Sequence, residues 1–281
     1  MTSRRAVLCV PASEPDKVAK ALALNADEVV VDLEDAVAPE RKAQARKTVA
    51  VLAPRGRGAI TVRVNAIESP WFLADLAAVA GNDAVATVVI PKVDSADDIA
   101  HVERELGRLE KNHNRARPVG VQALIESARG LGYVREIATA SSRLVSLVLG
   151  YADLGASLGR SSRASWQFAQ DAVVLAARIA NIDAIDGPLL TVRADEALGR
   201  AAALACELGF DGKWVIHPLQ IATVEEAFTP ALEAVDEARN LLAVMEQATR
   251  DGRGAVEWRG RMLDEAVAVQ ARRVLSKVVG Q

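Results

Sequence analysis

The chain has 281 residues, of which 51% are hydrophobic and 25% are charged, so it can bury a substantial core and bulk disorder is excluded. Its formal net charge is −3 and no run of Lys and Arg is present, which argues against a nucleic-acid partner and favours a small-molecule one. No stretch approaches the roughly 18 uninterrupted apolar residues of a membrane span, and the two cysteines are far apart in apolar surroundings, so we expect a reduced cytoplasmic protein with no membrane partner.

Short β-branched runs alternate with segments of helical periodicity along most of the chain. The runs predict eight strands over 6–10, 28–33, 60–65, 85–93, 119–125, 144–149, 183–186 and 213–216. The intervening and following segments predict helices over 15–24, 39–52, 70–80, 95–111, 128–140, 166–180, 194–208 and 221–228. Such alternation indicates a parallel sheet, and eight strand–helix units predict an α/β protein with a closed (β/α)8 TIM barrel.

Two further segments complete the predicted organisation. Residues 151–163 are polar and contain glycines, and they are interpreted as an extended loop after the sixth strand. After Pro230 the pattern changes to a long helix over 231–249, a glycine-containing turn, and a final helix over 265–279. We therefore predict a barrel domain over 1–229 and a C-terminal helical extension over 230–281 that forms a lid or reaches a neighbouring subunit.

Charged residues stand at the carboxyl ends of the predicted strands, which meet at one face of a barrel. Glu126 ends the fifth strand and Asp153 follows the sixth, so we expect the two carboxylates to be neighbours. Two carboxylates facing one cavity repel each other unless a cation lies between them, and hard oxygen ligands suit Mg²⁺. The alternative is that either acid is only a capping or ion-paired residue.

An arginine and a cluster of acids lie on the neighbouring strands. Arg63 ends the third strand, and its planar guanidinium suits a carboxylate or a developing oxyanion. A structural ion pair with Glu34 or Asp35 is the alternative for this arginine. Asp32, Glu34 and Asp35 are interpreted as groups that do not touch the metal but orient Arg63 and Lys92 or bind metal-bound water.

Two more residues at strand ends have open interpretations. Lys92 follows the fourth strand and would form a Schiff base with a carbonyl substrate if desolvated. The nearby acids instead favour a charged lysine that pairs with them behind the site. His217 follows the eighth strand and is either a group behind the site that moves protons or a structural histidine.

Several short motifs occur along the chain in a fixed order. They are Leu33-Glu34-Asp35-Ala36-Val37, Val62-Arg63-Val64-Asn65, Ile90-Pro91-Lys92-Val93, Leu124-Ile125-Glu126-Ser127-Ala128, Gly150 to Asp153, Gly209-Phe210-Asp211-Gly212-Lys213 and Ile216-His217-Pro218. This order resembles that of the β-subunit of citrate lyase and its malyl-CoA and citramalyl-CoA lyase relatives. Taken together, these motifs are highly specific, and the chain resembles this family from about Val7 to Leu275.

The resemblance implies a Mg²⁺-binding barrel that cleaves or forms a carbon–carbon bond between an acyl-CoA and a 2-oxo acid. It also implies that Glu126 and Asp153 are the metal ligands and that Arg63 contacts substrate. The segment from Arg259 to Asp264 is similar to the family's lid motif, whose aspartate reaches a neighbouring subunit's site. Asp264 is therefore expected to be the acid–base residue, and the assembly is expected to be a homotrimer.

The chain departs from the family pattern where CoA phosphates are expected to bind. Many relatives have a Pro-Gly-Ser-Arg type segment after the first strand, whereas this chain has Pro11-Ala12-Ser13-Glu14 followed by Asp16. These two acids would repel a phosphate, and Lys17 is the only nearby cation and the expected substrate contact. A thioesterase, a CoA-independent 2-oxo-acid aldolase and a non-catalytic binding subunit therefore stay open as alternatives.

Overall fold

Eight parallel strands close into a barrel in the computed structural model, which describes residues 4–161 and 164–278. The strands are β1 (Ala6–Pro11), β2 (Glu28–Asp32), β3 (Ala59–Arg63), β4 (Thr87–Ile90), β5 (Gly120–Ile125), β6 (Leu144–Leu149), β7 (Asp183–Asp186) and β8 (Gly212–Val215). Each strand pairs with the next in chain order, and β8 pairs with β1 to complete the ring. The predicted TIM barrel is confirmed.

Helices follow the strands along the chain. They are α1 (Pro15–Ala23), α2 (Lys42–Ala50), α3 (Phe72–Ala80), α4 (Ala96–Asn112), α5 (Ala128–Gly132), α6 (Val134–Ala138), α7 (Tyr151–Leu158), α8 (Gln167–Ala180), α9 (Glu196–Leu208) and α10 (Ile221–Phe228). Local sequence explains individual starts: Ser95 and Asp98 form a capping box at the beginning of α4. Proline occupies the first turn of α1, where its missing N–H has no helical partner.

The barrel interior changes from polar to apolar to charged along the strands. At the amino ends, the fully buried Glu28 accepts hydrogen bonds from Arg4 (2.7 Å), Thr61 (2.7 Å) and Gln122 (2.5 Å). The middle level is an apolar cluster of Val7, Val30, Val89, Leu124, Val148, Ile185 and Trp214. Alternate residues of a strand point to the same face, so Asp32 at the carboxyl end of β2 lies on the same face of the strand as Glu28.

The chain divides into two compact units, one ending at Glu225 and the other beginning at Glu226. The second unit contains α11 (Leu232–Arg250), β9 (Val256–Trp258), β10 (Arg261–Leu263) and α12 (Glu265–Ser276). It has an apolar core of its own, to which Leu241, Met245 and Leu263 contribute. No helix among residues 4–161 and 164–278 is both long enough and apolar enough to cross a membrane.

The prediction of an extended loop over 151–163 is wrong for its first eight residues, which form α7. Two of the glycines that suggested a loop stand at the ends of this helix, and Gly155 lies within it. Gly150 is the residue before the first turn, and Gly159 ends the helix with a φ of 61°. Glycine favours that left-handed conformation at helix C-termini because it has no Cβ.

Other boundaries also differ from the sequence prediction. The helix predicted over 128–140 is broken at Tyr133 into α5 and α6. The predicted glycine-containing turn precedes an antiparallel hairpin of β9 and β10, whose turn residues Arg259 and Gly260 have φ values of 51° and 76°. The predicted ends at Arg163 and Val279 lie outside the described residues.

Candidate active site

Glu126 directly follows β5 at the mouth of the barrel and is only 4% exposed. The backbone N–H of Lys92 donates a 2.9 Å hydrogen bond to its Oε1 atom. On the other side, a Cβ added to Gly150 would lie 2.6 Å from Oε2 of Glu126, closer than real Cβ atoms approach. Lys92 and Gly150 therefore confine the carboxylate to one position.

The electrostatic surroundings of Glu126 disfavour a bare negative charge. Burial raises the pKa of Glu126 to about 8, and the negative charges of Glu34 and Asp153 contribute to this rise. The hydrogen bond from Lys92 and the charge of Arg63 lower the pKa but do not cancel the effect. A divalent cation between these carboxylates would offset both the desolvation and the mutual repulsion.

Asp153 is the third residue of α7 and is half-buried. The structure places it near enough to Glu126 for its charge to raise the pKa of that carboxyl. Among residues 4–161 and 164–278, no three or more His, Cys, Asp and Glu side chains converge as a metal-binding group. A cation held by this pair would need water and substrate oxygens as its other ligands, which is the arrangement that Mg²⁺ favours.

Arg63 is held by two of the predicted acids. Its Nε and Nη2 atoms donate to the two carboxylate oxygens of Asp32 at 2.7 and 2.6 Å, and Nη1 lies 3.1 Å from Glu34 Oε2. Burial lowers the pKa of Arg63, but the negative charge and hydrogen bonds of Asp32 outweigh burial. The pKa of Arg63 is therefore well above its usual value. The ion pairs thus involve Asp32 and Glu34, whereas Asp35 is not among the acids paired with Arg63.

Lys92 pairs with the same acidic cluster. Its Nζ atom donates to Glu34 Oε1 at 2.6 Å and lies 3.9 Å from Asp35 Oδ1. Partial burial lowers the pKa of Lys92, but the hydrogen bond and charge of Glu34 reverse this and give a net rise. Schiff-base formation needs an uncharged amine, so these contacts favour the charged partner. Lys92 also has a φ of 54°, which aims its backbone N–H at Glu126.

The cluster at the barrel mouth also contains an aromatic ring and a thiol that the sequence reasoning left out. The guanidinium of Arg63 lies 5.7 Å from the ring centroid of Trp214, which belongs to the apolar level below. Cys9 packs against the same level. Burial and the charge of Asp32 raise the pKa of the Cys9 thiol to about 12, so the thiol stays protonated near neutral pH.

Lys17 and His217 make local contacts with their own segments. Lys17 is 62% exposed on α1 and forms an ion pair with Glu14 at 2.7 Å. The Nδ1 atom of His217 accepts a hydrogen bond from the backbone of Leu219 at 3.3 Å, at the start of a short 3-10 helix. The partners of both side chains are therefore residues of their own segments, Glu14 for Lys17 and Leu219 for His217.

Asp264 belongs to the second compact unit. It is exposed and precedes α12, where its Oδ1 atom accepts a 3.2 Å hydrogen bond from the backbone of Val267. This is an N-cap, which satisfies one of the unpaired N–H groups of the first helical turn.

A further polar group lies beside α7 and was missed by the sequence reasoning. Tyr151 donates a hydrogen bond to Asp186, which also pairs with Lys213. Its sequence signal was Asp186, the acidic residue at the end of the seventh predicted strand.

A closed parallel barrel with carboxylates and an arginine at its mouth defines a class of proteins, the (β/α)8 enzymes that place their active sites at the strand carboxyl ends. Residues 5–218 match the model of the HpcH/HpaI aldolase/citrate lyase family, and the chain belongs to this family. The predicted family and the prediction of an enzyme of the lyase class are confirmed.

Curated relatives cover nearly the whole chain. The chain is 38% identical to the L-malyl-CoA/beta-methylmalyl-CoA lyase of Cereibacter sphaeroides over 95% of its own length and 92% of the relative. It is also 38% identical to the citrate lyase subunit beta of Escherichia coli, covering 98% and 93% of the two chains. The crystal structure of CitE from Mycobacterium tuberculosis with magnesium, acetoacetate and coenzyme A is 33% identical, with a TM-score of 0.79 over 98% of both chains.

Proposed function

We propose that this chain is a Mg²⁺-dependent carbon–carbon lyase that cleaves or forms a 3-hydroxyacyl-CoA with a distal carboxylate, such as malyl-, citramalyl- or citryl-CoA. The observation that carries this proposal is the buried Glu126 beside Asp153, in a barrel mouth that also contains Arg63. The relatives named as malyl-CoA lyase and citrate lyase subunit beta, and the magnesium and coenzyme A in the CitE structure, support the same reaction.

Glu126 and Asp153 are the residues that would hold Mg²⁺. The two carboxylates fit this ion because they supply hard oxygen donors, and because a cation would offset the burial of Glu126 and the negative charges of Glu34 and Asp153, which together raise the pKa of Glu126. Bound Mg²⁺ acts as a Lewis acid toward carboxylate and alcohol or ketone oxygens of a substrate.

Arg63 is proposed to stabilise negative charge on the substrate during reaction. Asp32 fixes the guanidinium plane through two hydrogen bonds, so little reorganisation is needed when an oxyanion develops. Glu34 pairs with both Arg63 and Lys92, and Asp35 lies near Lys92, so these three residues are proposed to orient the groups that contact metal and substrate. His217 is proposed to support the same site from the end of β8.

Asp264 is proposed as the acid–base residue, contributed by the C-terminal extension of a neighbouring subunit. In cleavage its carboxylate takes the proton of the 3-hydroxyl group, the carbon–carbon bond breaks, and the electron pair remains on the thioester fragment as an enolate. The alcohol carbon becomes the ketone or aldehyde carbon of the 2-oxo acid, and protonation of the enolate gives the acyl-CoA. In condensation Asp264 instead takes the α-proton of the acyl-CoA.

The proposed mechanism requires more than one subunit, and we propose a homotrimer in the cytoplasm. Each chain has a proposed barrel domain over 1–229 and a lid extension over 230–281. Lys17 is proposed to contact the CoA phosphates. Its present ion pair with Glu14 is exposed, so exchanging that partner for a phosphate has a small electrostatic cost.

The direct test is incubation of the protein with Mg²⁺ and each of malyl-, citramalyl- and citryl-CoA, with products identified by mass spectrometry. The proposal expects acetyl-CoA together with glyoxylate, pyruvate or oxaloacetate from at least one substrate, and no products when EDTA replaces Mg²⁺. Free CoA without acetyl-CoA would indicate a thioesterase instead. Turnover only of CoA-free 2-oxo acids would indicate an aldolase, and no binding or turnover would indicate a non-catalytic subunit.

A further inference from the structure

A buried polar network lies beside the helix that carries Asp153, and it joins four structural elements. We call it the Tyr151 network; it consists of Tyr151 on α7, Gln170 on α8, Asp186 on β7 and Lys213 on β8. The hydroxyl of Tyr151 donates to Asp186 Oδ1 and accepts from Gln170 Nε2 at 2.8 Å. Lys213 Nζ donates to Asp186 Oδ2 at 2.5 Å and to the Gly187 carbonyl at 2.6 Å.

The charged pair in this network is almost completely removed from solvent. The side chains of Lys213 and Asp186 are 3% and 2% exposed. Replacing a buried ion pair by apolar side chains of equal size is often neutral or stabilising, so the pair is weak evidence for a role in stability alone. Its hydrogen bonds are directional, and they give the Tyr151 hydroxyl one defined position.

Close packing confines the Tyr151 ring as well as its hydroxyl. A Cβ on Gly187 would lie 2.9 Å from Cδ2 of Tyr151 and 2.2 Å from the Leu149 carbonyl oxygen, so only glycine allows this approach. The edge of Trp166 contacts the ring with a centroid separation of 5.5 Å. The position of Tyr151 is therefore set by the strands and α8 rather than by α7 itself.

The position of Tyr151 determines where Asp153 lies, because both residues belong to the first turn of α7. The backbone of that turn is rigid once its first residue is fixed, since the helical hydrogen bond from Leu154 to Gly150 spans it. The backbone of Asp153 is then held in one position relative to the confined Glu126, whose pKa the charge of Asp153 helps to raise.

We propose that the Tyr151 network is a positioning device that sets the Mg²⁺ affinity by holding the first turn of α7, and with it Asp153, against Glu126. This inference rests on the proposed function, because it takes Glu126 and Asp153 as the metal ligands. Tyr151 is a positioning residue, which acts through Asp153 and does not itself bind the metal.

The test uses Tyr151→Phe, which removes the hydroxyl and keeps the ring. Supporting groups behind metal ligands typically change affinity by 10–100-fold, so we expect the dissociation constant for Mg²⁺, measured by calorimetry on the whole protein, to rise by about tenfold or more. Tyr133→Phe is the matched control, because Tyr133 is the only other tyrosine and its side chain is exposed. Circular dichroism establishes that each variant is folded.

A second measurement separates positioning from a general structural role. In Tyr151→Phe the Mg²⁺ concentration that gives half-maximal activity should rise, while kcat at saturating Mg²⁺ recovers to the value of the unaltered protein. A lower kcat at every Mg²⁺ concentration with an unchanged dissociation constant would overturn the inference and leave the proposed function standing. Absence of Mg²⁺ uptake by the unaltered protein would overturn both.

A milder variant keeps the inference testable if Tyr151→Phe does not fold. Gln170→Met removes one donor to the Tyr151 hydroxyl with little change of volume, and Gln170 is 8% exposed. The inference expects a smaller loss of Mg²⁺ affinity in the same direction. An unchanged dissociation constant in the folded Gln170→Met protein would contradict it.

Discussion

Gly150 lies between the end of β6 and the start of α7, directly against the side chain of Glu126. Its φ of −103° is accessible to any residue, so the requirement for glycine comes from the lack of space and not from the backbone. Both the Cβ and the Oε2 atoms of Glu126 lie 2.6 Å from where a Cβ of residue 150 would be. A single methyl group at this position would therefore move the carboxylate.

We expect Gly150→Ala to weaken Mg²⁺ binding about tenfold or more and to cost about 1–3 kcal/mol of unfolding free energy, because overpacking forces the Glu126 side chain or the backbone to shift. Calorimetry and urea unfolding measure the two effects. Gly132→Ala is the matched control: a Cβ there meets no atom within 4 Å, so both quantities should stay close to those of the unaltered protein. Equal Mg²⁺ affinity in the two variants would show that Glu126 tolerates displacement.

The partners of individual residues were predictable only where the strand geometry specifies them. Asp32 was a candidate partner of Arg63, and the parallel register of β2 and β3 places the two residues side by side. Asp35 was an equal candidate from spacing alone, but its side chain is 62% exposed and contacts only Lys92 in the cluster. Tyr151 was not predicted, because its partner Asp186 is 35 residues away and on a different element.

Three elements, α7, β9 and β10, show why local sequence was a limited guide. α7 was predicted as a loop because glycines flank and interrupt its short apolar pattern, although two of them are the residues next to the helix ends. β9 and β10 have three residues each, too few for a period-two pattern to indicate a strand. By contrast, the long amphipathic α4 was predicted over 95–111 from the same kind of reasoning, and Ser95 caps its start.

The start of α12 combines a structural role with a proposed chemical one, and one substitution separates them. Asn caps a helix about as well as Asp, so Asp264→Asn should change the unfolding free energy by less than about 0.5 kcal/mol. Asparagine cannot accept the substrate proton, and general acid–base groups contribute about 10²–10⁴-fold, so kcat should fall within that range. Steady-state kinetics and urea unfolding provide the two readouts.

The same variant tests whether Asp264 acts on a neighbouring subunit. In the proposed homotrimer, co-expressed Asp264→Asn and Glu126→Gln chains would mix, and an intact barrel of one chain would meet an intact extension of another. Activity in the mixture above that of either variant alone is the expected outcome. A mixture as inactive as its components, or an Asp264→Asn protein with full kcat, would remove the extension from the mechanism.

At the scale of the barrel unit, the closed ring explains why acids distant in sequence converge. Eight alternating strand and helix patterns were enough to predict the ring, and the order of the strands then placed Glu126 near the start of α7. Contacts through the barrel interior could not be predicted in the same way. Glu28 and Gln122 are 94 residues apart, and nothing local to either residue indicates that they meet at the polar end of the barrel.

The central claim is that Glu126 and Asp153 together hold one Mg²⁺ ion, and calorimetric titration of the metal-free protein with Mg²⁺ tests it most directly. The account predicts one site per chain in the unaltered protein and in Glu136→Gln, which changes an exposed carboxylate on α6. It predicts loss of measurable binding in Glu126→Gln and in Asp153→Asn. Unchanged Mg²⁺ affinity in those two variants, or no binding by the unaltered protein, would contradict it.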